Sequence, residues 1–299
     1  MSILLSYIIA TRNRLPLLKI TLKKLIDGLQ QGEEIVVVDG NSTDGAKEYL
    51  QQLFNENKIH QFISEPDRNQ AHAWNKAMLM AKGVLVKKII DDDVHDYNAI
   101  RRCRDFMLAN AGVDVCISNN LDSTLNNPDN IAITGRLPQY RQWKAGHTKA
   151  FTFSDVSLLL RKSSLSMLGL YDTQFRMMDW EYALRASYLK LRIAYYTGYN
   201  SMAVSTPGNV TSTATKHVLQ LEEKIGKLKY NYAGDKADIS LYSHIKITLG
   251  KWYYALITGK KMVAGLSSLP PDDELQAIYA IFYQKLDEHN QADNFDFIY

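Results

Sequence analysis

The feature that most restricts the fold of this chain is an alternation, over residues 1 to about 120, of short apolar runs with longer segments of helical period. Ile3 to Ala10 is followed by Leu15, Leu18, Leu22, Leu25, Ile26 and Leu29, whose steps of three and four share one helix face. Ile35 to Val38 is a β-branched strand ending at Asp39, and Glu48 to Phe54 reads as a short helix. Ile59 to Ser64 is a weaker strand, after which Ala73, Trp74, Ala77, Met78 and Ala81 mark a helix that Gly83 can end. Val84 to Ile90 is then a strand running into Asp91, Asp92 and Asp93. Strands that are apolar throughout are covered on both faces, so the pattern predicts an α/β chain with a mostly parallel sheet flanked by helices.

The rest of the chain is less regular. Residues 121 to 150 are rich in Asn, Asp, Gly and Pro without a period and read as a long loop. Asp155 to Leu160 resembles a further strand, Asp179 to Leu189 a helix and Arg192 to Tyr196 a short strand. From about Ser212 the pattern turns helical, with Pro270 and Pro271 dividing two candidate helices of a C-terminal appendage.

Composition removes several function classes. The chain has 299 residues with 35 Lys plus Arg against 32 Asp plus Glu, spread without basic blocks, which disfavours a nucleic-acid partner. Cys103 and Cys116 sit in apolar runs, as buried thiols of a cytoplasmic protein do. The N-terminal apolar run is broken by Ser6 and Tyr7 and reads as a first strand, not a secretion signal. No segment reaches the roughly 18 apolar residues of a membrane span. Residues 244 to 262, with aromatic and aliphatic side chains among Lys246, Lys251, Lys260 and Lys261, fit either core packing or weak contact with an anionic membrane surface.

In parallel sheets, ligands bind beyond the carboxyl ends of the strands. Thr11 to Arg14, Asp39 and Asp91 to Asp93 fall at those ends. The turn Gly40 to Gly45 lacks the Lys and Ser or Thr of a phosphate-cradling loop, and no dinucleotide fingerprint occurs. Asp39 suits a base N–H or a ribose hydroxyl, and equally a helix cap. Three adjacent carboxylates repel one another unless solvated or neutralised, which fits Mg²⁺ or Mn²⁺ bridging a diphosphate, and equally a solvated turn before a helix near Tyr97. Asp179 and Glu181 lie among bulky side chains at a helix start, where a raised pKa suits a base and the helix dipole suits any acid. His72, His147 and His217 show no metal-ligand spacing.

The segments SYIIATRNR (6 to 14), EIVVVDGNSTDG (34 to 45), SEPDRNQAHAWNKA (64 to 77) and IIDDDV (89 to 94), in this order, resemble the inverting family 2 glycosyltransferases of GT-A fold, with the closest look to the bacterial surface-polysaccharide branch. Leu158 to Arg185 is similar to that family's acceptor half. The resemblance implies a nucleotide-sugar-binding half over residues 1–120, an acceptor-binding half over 121–210 and a helical extension over 211–299. It implies transfer of a sugar from a nucleotide diphosphate donor, UDP-linked, to a saccharide or lipid-linked saccharide. Thr11, Arg12, Asn13, Asp39, Asp67, Arg68 and Asp91 match the nucleotide-binding positions, and Asp91, Asp92 and Asp93 the metal site for Mn²⁺ or Mg²⁺. Asp91 with Asp93, and Asp92 with Asp93, both fit as the metal pair. Asp179 matches the catalytic base. The same resemblance puts the protein in the cytoplasm, with peripheral contact at the inner membrane face. Met178 stands where many members carry Glu, and Lys87 and Lys88 interrupt a strand that is usually apolar, as an edge strand would allow. A nucleotidyltransferase and a silent nucleotide-sugar binding module are the alternatives.

Overall fold

The computed structural model describes residues 2–207, 216–232, 234, 268–291 and 294–299. The segment 244–262 lies outside them. The alternating half folds as β1 (Leu5–Thr11), α1 (Leu15–Asp27), β2 (Glu33–Asp39), α2 (Ala46–Asn55), β3 (Gln61–Ser64), α3 (Gln70–Met80), β4 (Leu85–Lys88), β5 (Val94–His95) and α4 (Tyr97–Ala109). Asn69 and Asp96 cap α3 and α4 by accepting from the His72 N–H and from the Asn98 and Ala99 N–H groups. α3 stops at Met80, so Gly83 does not end it. Gly83 instead lets β4 start against β1, because a Cβ there would lie 2.6 Å from the Ser6 nitrogen.

The second half adds β6 (Val115–Thr124), β7 (Asn127–Thr134), α5 (Leu137–Lys144), β8 (Leu159–Arg161), α6 (Leu165–Leu168), α7 (Met178–Tyr188) and β9 (Ile193–Ser205). α8 (Lys216–Lys229), α9 (Asp272–Gln291) and β10 (Phe297–Ile298) follow. The main sheet runs β10-β9-β6-β8-β4-β1-β2-β3, and four of its seven neighbouring pairs are parallel. Helices cover it: apolar residues of α3, α5 and α7 form one cluster with it, and those of α1, α2 and α4 another. The fold is the expected α/β sheet with a helical C-terminal region.

Three local expectations are corrected. Residues 121–150 are not a loop: they complete β6, pair β7 antiparallel to it and form α5. β7 leaves most of its side chains in solvent and so carries no apolar alternation to read. Asp155–Ser157 is a 3-10 turn, and the strand begins only at Leu159, whereas the strand expected over 192–196 extends to Ser205. Lys87 and Lys88 are not an edge feature, since β4 lies between β1 and β8 and both side chains are buried. Burial pushes the Lys87 ammonium down to about 7, and it donates to the Val156 carbonyl.

The described residues of α9 and β10 pack on the sheet. Leu275, Tyr279, Phe282 and Leu286 of α9 bury against Leu17, Val94, Leu121 and Met202, and β10 pairs with β9. No helix among the described residues is long and apolar enough to cross a membrane.

Candidate active site

Three parallel strands deliver loops to one rim. Beyond β1, Asn13 takes a left-handed backbone with φ 53°; its N–H donates to Ser42 Oγ at 2.8 Å, and its Oδ1 accepts from the Thr43 N–H at 2.8 Å. The first and second loops are thereby tied together. Asp39, fully buried at the end of β2, accepts from Ser42 Oγ at 2.5 Å, from the Ser42 N–H at 3.1 Å and from Ser64 Oγ at 2.6 Å. Its carboxylate is therefore the brace of this turn, and a nucleotide N–H would share oxygens already in use. Asp67 pairs with Lys76 at 2.6 Å and approaches Gly40, where a Cβ would stand 2.9 Å from Asp67 Oδ2 and 3.2 Å from Arg12 Cδ. Arg12 and Arg68 are exposed on this rim.

The three aspartates after β4 have separate environments. Asp91 points inward: its Oδ2 accepts from Thr11 Oγ1 at 2.6 Å, and its Oδ1 lies 3.4 Å from Arg14 Nε. Burial, opposed by Arg14 and reinforced by Asp92, pushes its carboxyl up to about 6. Asp92 accepts from Arg14 Nη2 and from Thr206 Oγ1, both at 2.5 Å, while the Tyr279 hydroxyl of α9 donates to its carbonyl at 2.5 Å. Asp93 Oδ1 accepts from the Val204 N–H at 2.9 Å, and burial followed by the charge of Asp92 raises its carboxyl well above the ordinary range.

Asp92 and Asp93 line a cleft of about 260 Å³ that Asp91 does not reach. The same cleft is lined by Arg176, Met178 and Asp179, from α7 and the segment before it, and by Lys88 and Asp155. A larger groove, about 800 Å³, runs between α1 and α9 with lysines on one side and carboxylates on the other. None of the sequence-predicted site residues lines it.

Asp179 stands in the first turn of α7, half-buried, and desolvation followed by the nearby Asp155 raises its carboxyl while Lys88 opposes the rise. Glu181, two residues on, is fully buried: its Oε2 accepts from Arg185 Nη2 at 2.8 Å, and its Oε1 accepts from the Tyr230 hydroxyl. α8 fixes the start of α7, because Glu222 accepts from the Arg176 N–H at 2.8 Å and the Met177 N–H at 2.9 Å. Gly226 lets α8 approach so closely that a Cβ would lie 2.3 Å from the Trp180 ring.

Among the described residues, no group of three side-chain ligands converges as a metal site. Mg²⁺ and Mn²⁺ need less from the protein when a diphosphate is present, since one or two carboxylates plus phosphate oxygens and water complete the shell. Asp92 and Asp93, adjacent and facing the cleft, fit that donor set. Arg14 belongs to the polar cluster expected at the end of the first strand, whereas nothing local in the sequence marks Asp155, Thr206, Glu222 or Tyr279 as part of this site. The only local signal for Lys88 was a charged pair interrupting an apolar strand.

No curated protein matches the sequence. Among solved structures, S. aureus TarS 1-349 in complex with UDP-GlcNAc is similar at 15% identity and a TM-score of 0.58, covering 96% of this chain and 91% of that one. Mannosyltransferase PcManGT from Pyrobaculum calidifontis, in complex with GDP-Man and Mn2+, is similar at 17% identity and a TM-score of 0.53, covering 96% and 87%. Both likenesses bear on the fold, which is GT-A. The model of glycosyl transferase family 2 matches residues 6–169, more than half of the 299. From the first strand to the turn after α6, and with the GT-A sheet around them, these residues make the chain a member of glycosyltransferase family 2.

Proposed function

We propose that this glycosyltransferase moves a sugar from a UDP-linked donor to an acceptor hydroxyl with inversion, and that the reaction occupies the cleft between Asp92–Asp93 and Asp179. One observation carries the reading: Asp179 faces the same cleft as two of the three aspartates, whereas Glu181 is spent on Arg185 and Tyr230. Asp179 accepts the proton of the acceptor hydroxyl, whose oxygen bonds to the anomeric carbon as the bond to the diphosphate oxygen breaks. Desolvation raises Asp179, which brings a carboxylate nearer the range where it works as a base. Attack from the side opposite the diphosphate gives inversion.

Asp92 and Asp93 would hold the divalent ion, with Asp91 behind them bonded to Thr11 and Arg14. Such an ion supplies charge neutralisation of the departing diphosphate. The nucleoside lies over the loops after β1, β2 and β3, with Thr11, Arg12, Asn13, Asp39, Asp67 and Arg68 as its surroundings. Thr11 acts there through Asp91, and Asp39 through the turn it braces. The nucleotide sugars held by two proteins of the same fold support a donor of this class. The acceptor is a saccharide or lipid-linked saccharide of surface-polysaccharide synthesis, met at the cytoplasmic membrane face through residues 244–262.

The test is nucleotide release from a panel of UDP- and GDP-sugars with Mn²⁺, for wild type and Asp179→Asn. Release from a UDP-sugar in wild type and a loss on the order of 10² to 10⁴ in Asp179→Asn are expected. Equal turnover in both would remove Asp179 as the base, and binding without turnover would favour the silent module. Pelleting with anionic vesicles at low salt tests the membrane contact separately.

A further inference from the structure

Lys87 and Lys88 are neighbours on β4, so the pleat sends them to opposite faces. Lys88 goes to the cleft, where its Nζ bonds Asp155 Oδ2. The ammonium lies 4.5 Å from the Trp74 ring centroid and 5.4 Å from that of Tyr171. The Tyr171 hydroxyl donates to the same Asp155 oxygen at 2.9 Å. Asn75 holds the Tyr171 backbone through its N–H at 2.8 Å and its carbonyl at 2.9 Å. Both charged side chains are buried, and both line the cleft that Asp179 also lines. Apolar replacement of a buried ion pair is often neutral or stabilising. Stability alone is therefore a weak reason for this pair, and its position in the cleft supplies a stronger one.

From this geometry we infer that Lys88 and Asp155 form a positioning pair that sets the charge state of Asp179. The inference rests on the reading of Asp179 as the base. Its physical content is a balance. Desolvation disfavours the Asp179 carboxylate, Asp155 disfavours it further, and Lys88 favours it. The two charges of the pair act on Asp179 in opposite directions, and Asp155 acts ahead of Lys88. Losing either partner alone exposes the other's field in a poorly solvated cleft.

The remaining charged groups of the cleft come from several elements. Asp92 and Asp93 face it from the end of β4, Asp122 from β6, Arg14 from the loop after β1 and Arg176 from the segment before α7. Asp122 accepts from Asn120 and Thr134, and Glu181 and Arg185 of its own helix are paired with each other. Glu222 of α8 is engaged by the two N–H groups that precede α7. Asp155 and Lys88 act on Asp179 ahead of all of these.

The experiment is a ¹³C-carboxyl titration of the full chain labelled at aspartate Cγ, with the Asp179 resonance assigned by its loss in Asp179→Asn. In Asp155→Asn the amide still accepts from Lys88 and Tyr171, and the Asp179 midpoint is expected to fall by about one pH unit. Lys88→Met should raise it by about as much, and Lys88→Arg should leave it at the wild-type value. Should Lys88→Met not fold, the fall in Asp155→Asn against an unmoved Lys88→Arg decides alone. A midpoint unmoved in Asp155→Asn overturns the inference, even where turnover declines. Loss of transfer in Asp179→Asn together with an Asp179 midpoint unmoved in Asp155→Asn sinks the positioning pair and keeps the base; full transfer in Asp179→Asn sinks the base assignment.

Discussion

The link between the C-terminal region and the proposed base is open to a direct perturbation, Glu222→Ala. Glu222 is buried on α8 and its two oxygens accept from the Arg176 and Met177 N–H groups, the last two before α7. Each is a charge-assisted hydrogen bond at a helix N-terminus, where the partial positive charge adds to the attraction. Removing the carboxylate leaves two partly buried donors without that partner, at up to about 1 to 3 kcal/mol each. Water entering the space left by the side chain recovers part of this, so a net loss of about 2 to 3 kcal/mol is expected. At roughly 2 to 4 °C per kcal/mol for a chain of this size, Tm should fall by about 5 to 10 °C. The functional consequence is larger than the stability loss suggests. Asp179 lies two residues beyond Met177, and a displacement of about 1 Å in a reacting group costs on the order of 10² in rate. Urea unfolding gives the first quantity, and turnover of whichever UDP-sugar the donor panel identifies, with Mn²⁺, gives the second. Glu222→Gln keeps one acceptor oxygen and should lose about half as much stability. Glu222→Ala with wild-type midpoint and wild-type kcat would refute the reasoning.

Glu181→Gln should lose stability, since Arg185 and Tyr230 lose a charged partner, yet keep far more transfer activity than Asp179→Asn; the reverse order in a turnover assay would exchange the two roles. Calorimetry of UDP should show binding with Mn²⁺ that EDTA abolishes, and Asp92→Asn or Asp93→Asn should weaken the Mn²⁺-dependent part more than Asp91→Asn does. Acid should slow transfer with a midpoint above the ordinary carboxylate value, because the proposed base Asp179 would act only when ionised and its burial raises the pH needed; a pH–rate profile flat down to pH 4 would exclude that role. Gly83→Ala should destabilise the fold without a specific kinetic signature, since its Cβ would meet the Ser6 backbone at 2.6 Å, read as a lowered urea midpoint.

Most of the alternating half, and the strand ends at which chemistry sits, can be read from local residue patterns. Ile35 to Val38 needs no distant partner to be read as a buried strand, and the step from that run to the helix expected over Glu48 to Phe54, which starts at Ala46 in the fold, puts Asp39 at a carboxyl end. Period and β-branching are local, and they survive in the fold because both faces of those strands are covered. β7 escaped the same reading because its side chains face water, and its strand geometry comes from pairing with β6. The burial of two lysines in β4 was likewise illegible. Lys88 is tolerable in the core only through Asp155, 67 residues further along, and through rings from α3 and the segment before α7. The three aspartates look equivalent along the chain, and only the fold turns Asp91 toward Thr11 while Asp92 and Asp93 face the cleft. Glu222 and Tyr279 reach the site from helices beyond the matched family region. A carboxylate's neighbours in space decide its charge and its direction, and those neighbours are assembled by long-range pairing that no local period records.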